Sequence, residues 1–502
     1  MSFHVLTSLK IQSFLTVAKQ SLKQRMRPQV RARRKAGPTP TGTPADPAAF
    51  FFWSLERHKE ARARQMVISG DNGRLLPEIS ELSPHLRKLC IRHTPITNIA
   101  ALRGLPNLEA LEITASPVTD LSPLTDLPAL TELKLSLPSD IDVTLPDLPN
   151  LQRLKISHPG KPVHLGSMPS LEQADLLALC DTLPALTQSP KLTDLKTRIA
   201  KGQSLSPLAQ ATALTTLSLR CDGKVDIAPL ANLQPLETLD LFGADTTDLS
   251  ALSTLPALTT LSLWNTPATR FDALSQATSL ENLTIQSLGQ ITDLGFVTPL
   301  SELNHLSLSS VSHCDVAPVA SLNKLAYLLL QTADPDLDLG PLEYCDTLRT
   351  LHLSLDDAAD HPMRAPWPEL PNLQTLSLSG TGLASLNGLQ RCRALKSLSC
   401  IGTAVNDLYP LRSLPYLEQL DISGSQVADL SVLLTLPKFT KPSPYCTLAL
   451  NDTPALHKMH ELEALAACSN GRDYDHNRHL MANRVVVLLQ DQAAMPATHA
   501  DA

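Results

Sequence analysis

One phrase recurs through this 502-residue chain and restricts its fold more than any other property. The frame L-x-x-L-x-L/I begins at Leu86, Leu108, Leu130, Leu151, Leu171, Leu192, Leu214, Leu236, Leu258, Leu280, Leu303, Leu325, Leu348, Leu373, Leu395 and Leu417, mostly 22 residues apart. Each frame runs into a second shared phrase, as in SPVTDLSPLTDLPAL at 116–130, TTDLSALSTLPAL at 246–258 and AVNDLYPLRSLPYL at 404–417. A fixed period of this length marks a repeat architecture in which each unit contacts only its neighbours. The frames at Leu171 and Leu192 put Ala174 and Thr197 where other copies have aliphatic residues, which leaves their registers open.

The physics of one copy explains why it must repeat. L-x-L alternation predicts a short strand with one buried face, and the Asp-Leu-Ser-Pro-Leu portion turns the chain and returns it through a short helical or extended segment. Asp120 and Asp248 are placed to accept backbone N–H bonds at the start of that turn. A single coil cannot enclose its own leucines. Stacked coils cover one another's apolar faces and pair their strands, giving a parallel sheet on the concave side of a curved arc. At ~4.8 Å per strand, sixteen strands span roughly 75 to 80 Å. The expected fold is therefore an α/β solenoid with a parallel concave β-sheet, short helical, 3-10 or extended convex segments, and helical caps at both ends.

The extended pattern L-x-x-L-x-L-x-x-[T/S]-x-[V/I]-x-D-[L/I]-x-x-L-x-x-L-P-x resembles the leucine-rich-repeat family. Within that family it is similar to the 22-residue repeats of bacterial internalins and of regulatory subunits of protein phosphatase 1. The resemblance covers about residues 64 to 455 and implies a solenoid that binds proteins on its concave face. One departure is clear: the family's buried Asn at the ninth position is usually Thr or Ser here, as at Thr94, Ser116, Thr266, Thr381, Thr403 and Ser425. A hydroxyl supplies part of what the asparagine gives to backbone groups. No cell-wall anchoring motif follows the repeats, so the internalins' surface location does not carry over.

Composition sets the boundaries around the repeats. Only 4% of the chain is aromatic against 43% apolar, so the core is aliphatic. The nine cysteines are odd in number and show no paired spacing, which argues against a disulfide framework and for a reducing compartment. No apolar run approaches the ~20 residues of a membrane span. Residues 1 to 45 hold nine basic side chains and no acid; without them, the chain's 42 basic and 49 acidic residues leave a body of net charge −16. We read 1–49 as a basic disordered or amphipathic leader with a Pro-rich linker and 50–85 as an N-terminal helical cap with a degenerate first coil. Residues 86–455 form the solenoid of about 16–17 coils, and 456–502 a C-terminal helical cap and tail. Phe50, Phe51, Phe52 and Trp53 would plug the first coil, and ELEALAAC with ANRVVVLLQDQ would close the last. The leader is open to three functional readings, a charge-binding tail, a delivery signal like that of bacterial effectors, or a transit peptide, besides an inert tail.

Function must come from what the repeats expose. The third, fifth and seventh positions of each frame alternate against the buried leucines and face the concave side. In the middle of the arc they are Asp240, Phe242, Trp264, Gln286, His305, Tyr327 and His352, and these are the expected partner-binding residues. Phe242 and Trp264 share the seventh position in consecutive coils, so their rings should lie side by side. A secondary basic patch is expected at Lys134, Arg153, Lys155, Arg198 and Arg220. The 25-residue coil at Leu348 carries DDAADHPMRAPWPE, read as a rim loop with Trp367. His457, His460, Cys468, Asp473, Asp475, His476 and His479 match no zinc spacing we can name, and no Gly-rich phosphate loop is present, so neither metal, cofactor nor catalytic residue is expected. The expected function is protein–protein interaction without catalysis, by a monomer, with no nucleic acid bound through the repeats and no membrane span, in the cytoplasm. The alternative is a secreted bacterial effector delivered into a host cell.

Overall fold

The computed structural model describes residues 64–457 apart from short interruptions, the longest at 356–366, together with the strands His479–Met481 and Val486–Leu488. All of them belong to the unit Ser54–Ala502. Each coil contributes one strand to a 20-stranded sheet, and each strand pairs in parallel with that of the next coil from Gln65–Ser69 through to Thr447–Ala449. The 22-residue period fixes the register. Leu217, Leu239, Leu261, Leu283 and Leu306 lie opposite one another from strand to strand, all fully buried. Opposite strand residues therefore share a row across the arc, which is what assembles a surface from distant repeats.

The convex side follows from the Pro-Leu phrase. Most coils close through a five-residue 3-10 helix, such as Ser122–Asp126, Ser206–Gln210 and Ala228–Asn232, whose central Leu124, Leu208 and Leu230 are fully buried. Proline in the first turn presets φ and removes an N–H that has no helical partner there. The expected aspartates act one residue before the helix N-cap: Asp120 and Asp248 accept the backbone N–H of Ser122 and Ser250 at 2.9 Å. Asp226, Asp293, Asp315, Asp338 and Asp407 make the same two-residue turn in other coils. Two convex segments are extended and pair as Val143–Thr144 with Val163–His164.

Between strand and convex turn the chain rounds a corner that the sequence reading did not identify. The eighth residue of the frame adopts positive φ in many coils, as glycine at Gly243, Gly402 and Gly424 but as His93, Ala115, Asn265 and Ser310 in others. Just past the corner the buried hydroxyls hold backbone groups. Ser116 Oγ accepts the Thr94 N–H at 3.2 Å, and Thr403 Oγ1 donates to the Cys400 carbonyl at 2.9 Å; in the Leu280 frame the eighth residue, Ser287, donates its hydroxyl to the Ala268 carbonyl at 2.7 Å.

The two coils of open register resolve as follows. Ala174 lies opposite Leu154 and Leu195, and Thr197 opposite Leu219, so both occupy buried framework positions. The ladder between them slips after Asp175, and the following convex segment is a short α-helix, Leu183–Thr187. The expected N-terminal plug at 50–53 and the ELEALAAC segment lie outside the described residues. At the C-terminal end the expectation of a helix is corrected. Within ANRVVVLLQDQ, Val486–Leu488 is a strand parallel to Thr447–Ala449, with His479–Met481 antiparallel on its other side. β-Branched valines favour extended backbone, and the last coil leaves a strand edge whose N–H and C=O groups need partners.

Candidate functional site on the concave face

The register turns the expected residues into rows. In the seventh-position row Arg198, Arg220, Phe242, Trp264 and Gln286 follow one another on adjacent strands. Phe242 and Trp264, both half-buried, stack with ring centroids 5.7 Å apart and planes 4° from parallel. The Arg220 guanidinium lies 5.3 Å from the Phe242 ring centroid on the other face. The strand spacing holds the rings side by side, and the positive-φ residues Gly243 and Asn265 follow directly after them. Asp240 sits in the fifth-position row, flanked by Ser218 and Ser262.

The remaining expected residues form a second group. His305 and Tyr327 share the third-position row and stack at 4.1 Å and 8°, while His352, in the fifth-position row, tilts against Tyr327 at 5.3 Å and 40°. The strand Asn282–Ile291, carrying Gln286, separates this group from Trp264. The structure thus divides the expected patch into two ring clusters in different rows. Burial holds the imidazoles of His305 and His352 below the usual histidine range, with His305 itself a second cause at His352, and pushes the Tyr327 phenol up.

The expected basic patch is largely neutralised within the sheet. Lys134 and Arg153 reach Glu132 at 2.6 and 3.1 Å, Lys155 reaches Asp175 at 2.5 Å, and Arg198 binds Asp222 at 3.0 Å. Lysine and arginine contacts hold the Glu132 carboxyl below its usual range against the opposing effect of burial. Arg220 makes no ion pair among the described residues. It borders a concavity of about 680 Å³ with Arg198, Asp222, Asp240, Phe242 and the exposed Leu177.

Other features lose functional weight. Trp367, read as part of a rim loop, is buried and packs beside Gly388. The described cysteines are free thiols, and burial pushes Cys221 up to about 12 and Cys314 and Cys345 to about 11, which removes them as nucleophiles near neutral pH. No group of three or more metal-ligating side chains occurs among the described residues. The segment His460 to His476 lies outside them. No described helix is long and apolar enough to cross a membrane.

Known proteins agree with this architecture. The model for tandem leucine-rich repeats in two copies matches residues 84–126. A leucine-rich-repeat protein of Leptospira interrogans superposes with a TM-score of 0.53 at 19% identity, over 77% of this chain and 96% of its own. The internalin InlF of Listeria monocytogenes aligns at 22% identity over 74% of this chain and 89% of its own, with a TM-score of 0.40. No curated protein matches the chain. With the repeat frame, the in-register parallel strands and the convex turns taken together, the chain has the leucine-rich-repeat solenoid fold, and its residues 84–126 match that family's two-copy repeat model.

Proposed function

We propose that this protein binds a partner protein on its concave face and carries out no catalysis of its own. The observation that carries the reading is the Phe242–Trp264 stack: two rings side by side on the concave face of a chain that is only 4% aromatic, with a guanidinium against them. Tryptophan, tyrosine and arginine are the side chains on which interface energy concentrates. Affinity capture with the wild type and with a Phe242→Ala, Trp264→Ala double variant tests it. A folded double variant should lose a specific partner; one that retains every partner of the wild type removes the proposal.

A second reading, a secreted effector whose repeats select a host target, draws on the leader, with nine basic and no acidic side chains in residues 1 to 45. Loss of export or relocation on deleting 1–45 supports it, whereas unchanged localisation leaves a resident cytoplasmic binding protein.

A further inference from the structure

Charge is not spread evenly along the concave face. Up to Asp240 the outward positions alternate acids and bases, many paired across strands. From Thr260 to Ser399, seven successive strands present no Asp, Glu, Lys or Arg at the third, fifth or seventh position. With 18% of all residues charged, that gap is too long to follow from composition alone.

The ring cluster of His305, Tyr327 and His352 stands in the middle of this sector. Its outward neighbours are hydroxyls, amides and one leucine: Thr284, Gln286, Ser307, Leu329, Gln331 and Thr350. None of them ionises. The ionisable groups nearest the cluster in sequence fall off the outward strand positions: Arg349, at the second position of its frame, and Glu302 and Lys324, which pair with each other in the turns, stand three residues away, and Asp356 follows His352 by four.

A charged group pressed against such a face loses its water and finds no counter-charge, a cost that selects against charged ligands. The centres of protein interfaces show the same composition, poor in charge and rich in aromatic residues. Tyr327 has His305 stacked against it and His352 tilted against it, so the two imidazoles crowd the ring and make it a poor platform for a sugar.

We propose that the sector from Thr260 to Ser399 is where the partner docks. The docking element is a polypeptide segment without charged side chains, hydrogen-bonded through its amides and hydroxyls and seating an apolar side chain beside Tyr327. This rests on the concave-face reading above and moves the centre of the interface from Phe242–Trp264 toward the C-terminal coils. Binding by such a face is indifferent to salt. It weakens in acid, because protonated His305 and His352 place two positive charges among outward strand positions that carry no carboxylate.

Panning a random-peptide display library on the full chain tests the proposal at neutral pH, in about 0.15 M and about 1 M salt. Recovered peptides should share a core free of Asp, Glu, Lys and Arg and bind within about twofold at the two salt concentrations. Affinity should fall about tenfold or more below the ordinary histidine range near 6.5. Tyr327→Ala and Ser307→Glu should each lower affinity about tenfold, a loss of about 1.4 kcal/mol, and Ser307→Glu leaves the ring cluster intact. The double variant His305→Gln, His352→Gln should keep affinity and lose the acid sensitivity. Charged, salt-dependent consensus peptides, recovery of no peptide, or binding indifferent to both Tyr327→Ala and Ser307→Glu overturns the proposal. So does selective binding to an array of neutral oligosaccharides that Tyr327→Ala abolishes. If Phe242→Ala, Trp264→Ala removes peptide binding and the Tyr327 and Ser307 variants do not, the concave-face reading stands and this sector assignment falls.

Discussion

At the scale of the residue, the same sheet holds side chains of opposite worth. Leu261 is fully buried between Leu239 and Leu283, so Leu261→Ala should cost ~2 to 5 kcal/mol in chemical denaturation. Trp264, three residues on, faces outward and stacks on Phe242, and that pair should contribute only ~0.5 to 1.5 kcal/mol beyond its burial. Thr197 shows the reverse case. Its Oγ1 is buried with no hydrogen-bond partner at a position where other coils place leucine. Thr197→Val keeps the shape and removes the orphaned hydroxyl, so it should raise stability by about 1 kcal/mol; an unchanged or lower unfolding midpoint would show that the hydroxyl is satisfied. The burial of Leu261 and the outward setting of Trp264 were legible in the L-x-L alternation, since side chains two apart share a face. The orphaned Thr197 hydroxyl was not, because satisfaction of a polar atom depends on neighbours from other coils.

At the scale of the element, the coil is a strand, a corner, a hydroxyl-held turn and a convex 3-10 helix. The corner is the strained part. Ala115 adopts φ 48° where Gly243, at the same frame position, adopts φ 66°. An L-residue with a Cβ is disfavoured there, so Ala115→Gly should stabilise by about 0.5 to 1 kcal/mol despite the extra freedom glycine gives the unfolded chain. Gly243→Ala should destabilise, because its Cβ would meet the Cys221 carbonyl oxygen at 2.8 Å. Thermal unfolding of the two variants checks both signs. The aspartate turns could be anticipated from the Asp-Leu-Ser-Pro phrase, as Asp120 and Asp248 were. The corner was harder to read, since glycine is absent from many of its occurrences and the left-handed tendency of asparagine and histidine is too weak a signal to single out Asn265 or His93. The C-terminal valines carried a helical expectation for a related reason: Val486–Leu488 becomes a strand by pairing with Thr447–Ala449, a partner distant in sequence.

At the scale of the whole molecule, the solenoid is a sum of coils and nearest-neighbour contacts, so a weak coil opens locally. The region Gln173–Ile199 combines a slipped ladder, an α-helix in place of the usual 3-10 turn, a small residue at Ala174 and the polar core atom of Thr197. Amide hydrogen exchange should therefore run faster in Gln173–Ile199 than in the regular coils from Thr238 to Val311. Equal protection in the two stretches would show that the irregular coils are as well coupled as the rest.

The sequence alone determined the solenoid, its strand positions and which side chains face the concave side, because period and alternation are local properties of the chain. It also placed Phe242 beside Trp264, since both fall at the seventh position of consecutive frames. Only the tertiary structure decided how those side chains group. It divided one expected patch into two ring clusters and matched most of the expected basic residues with carboxylates from other positions. Ring stacking and ion pairing depend on distances between side chains of different coils, and those distances are fixed only when the strands come into register.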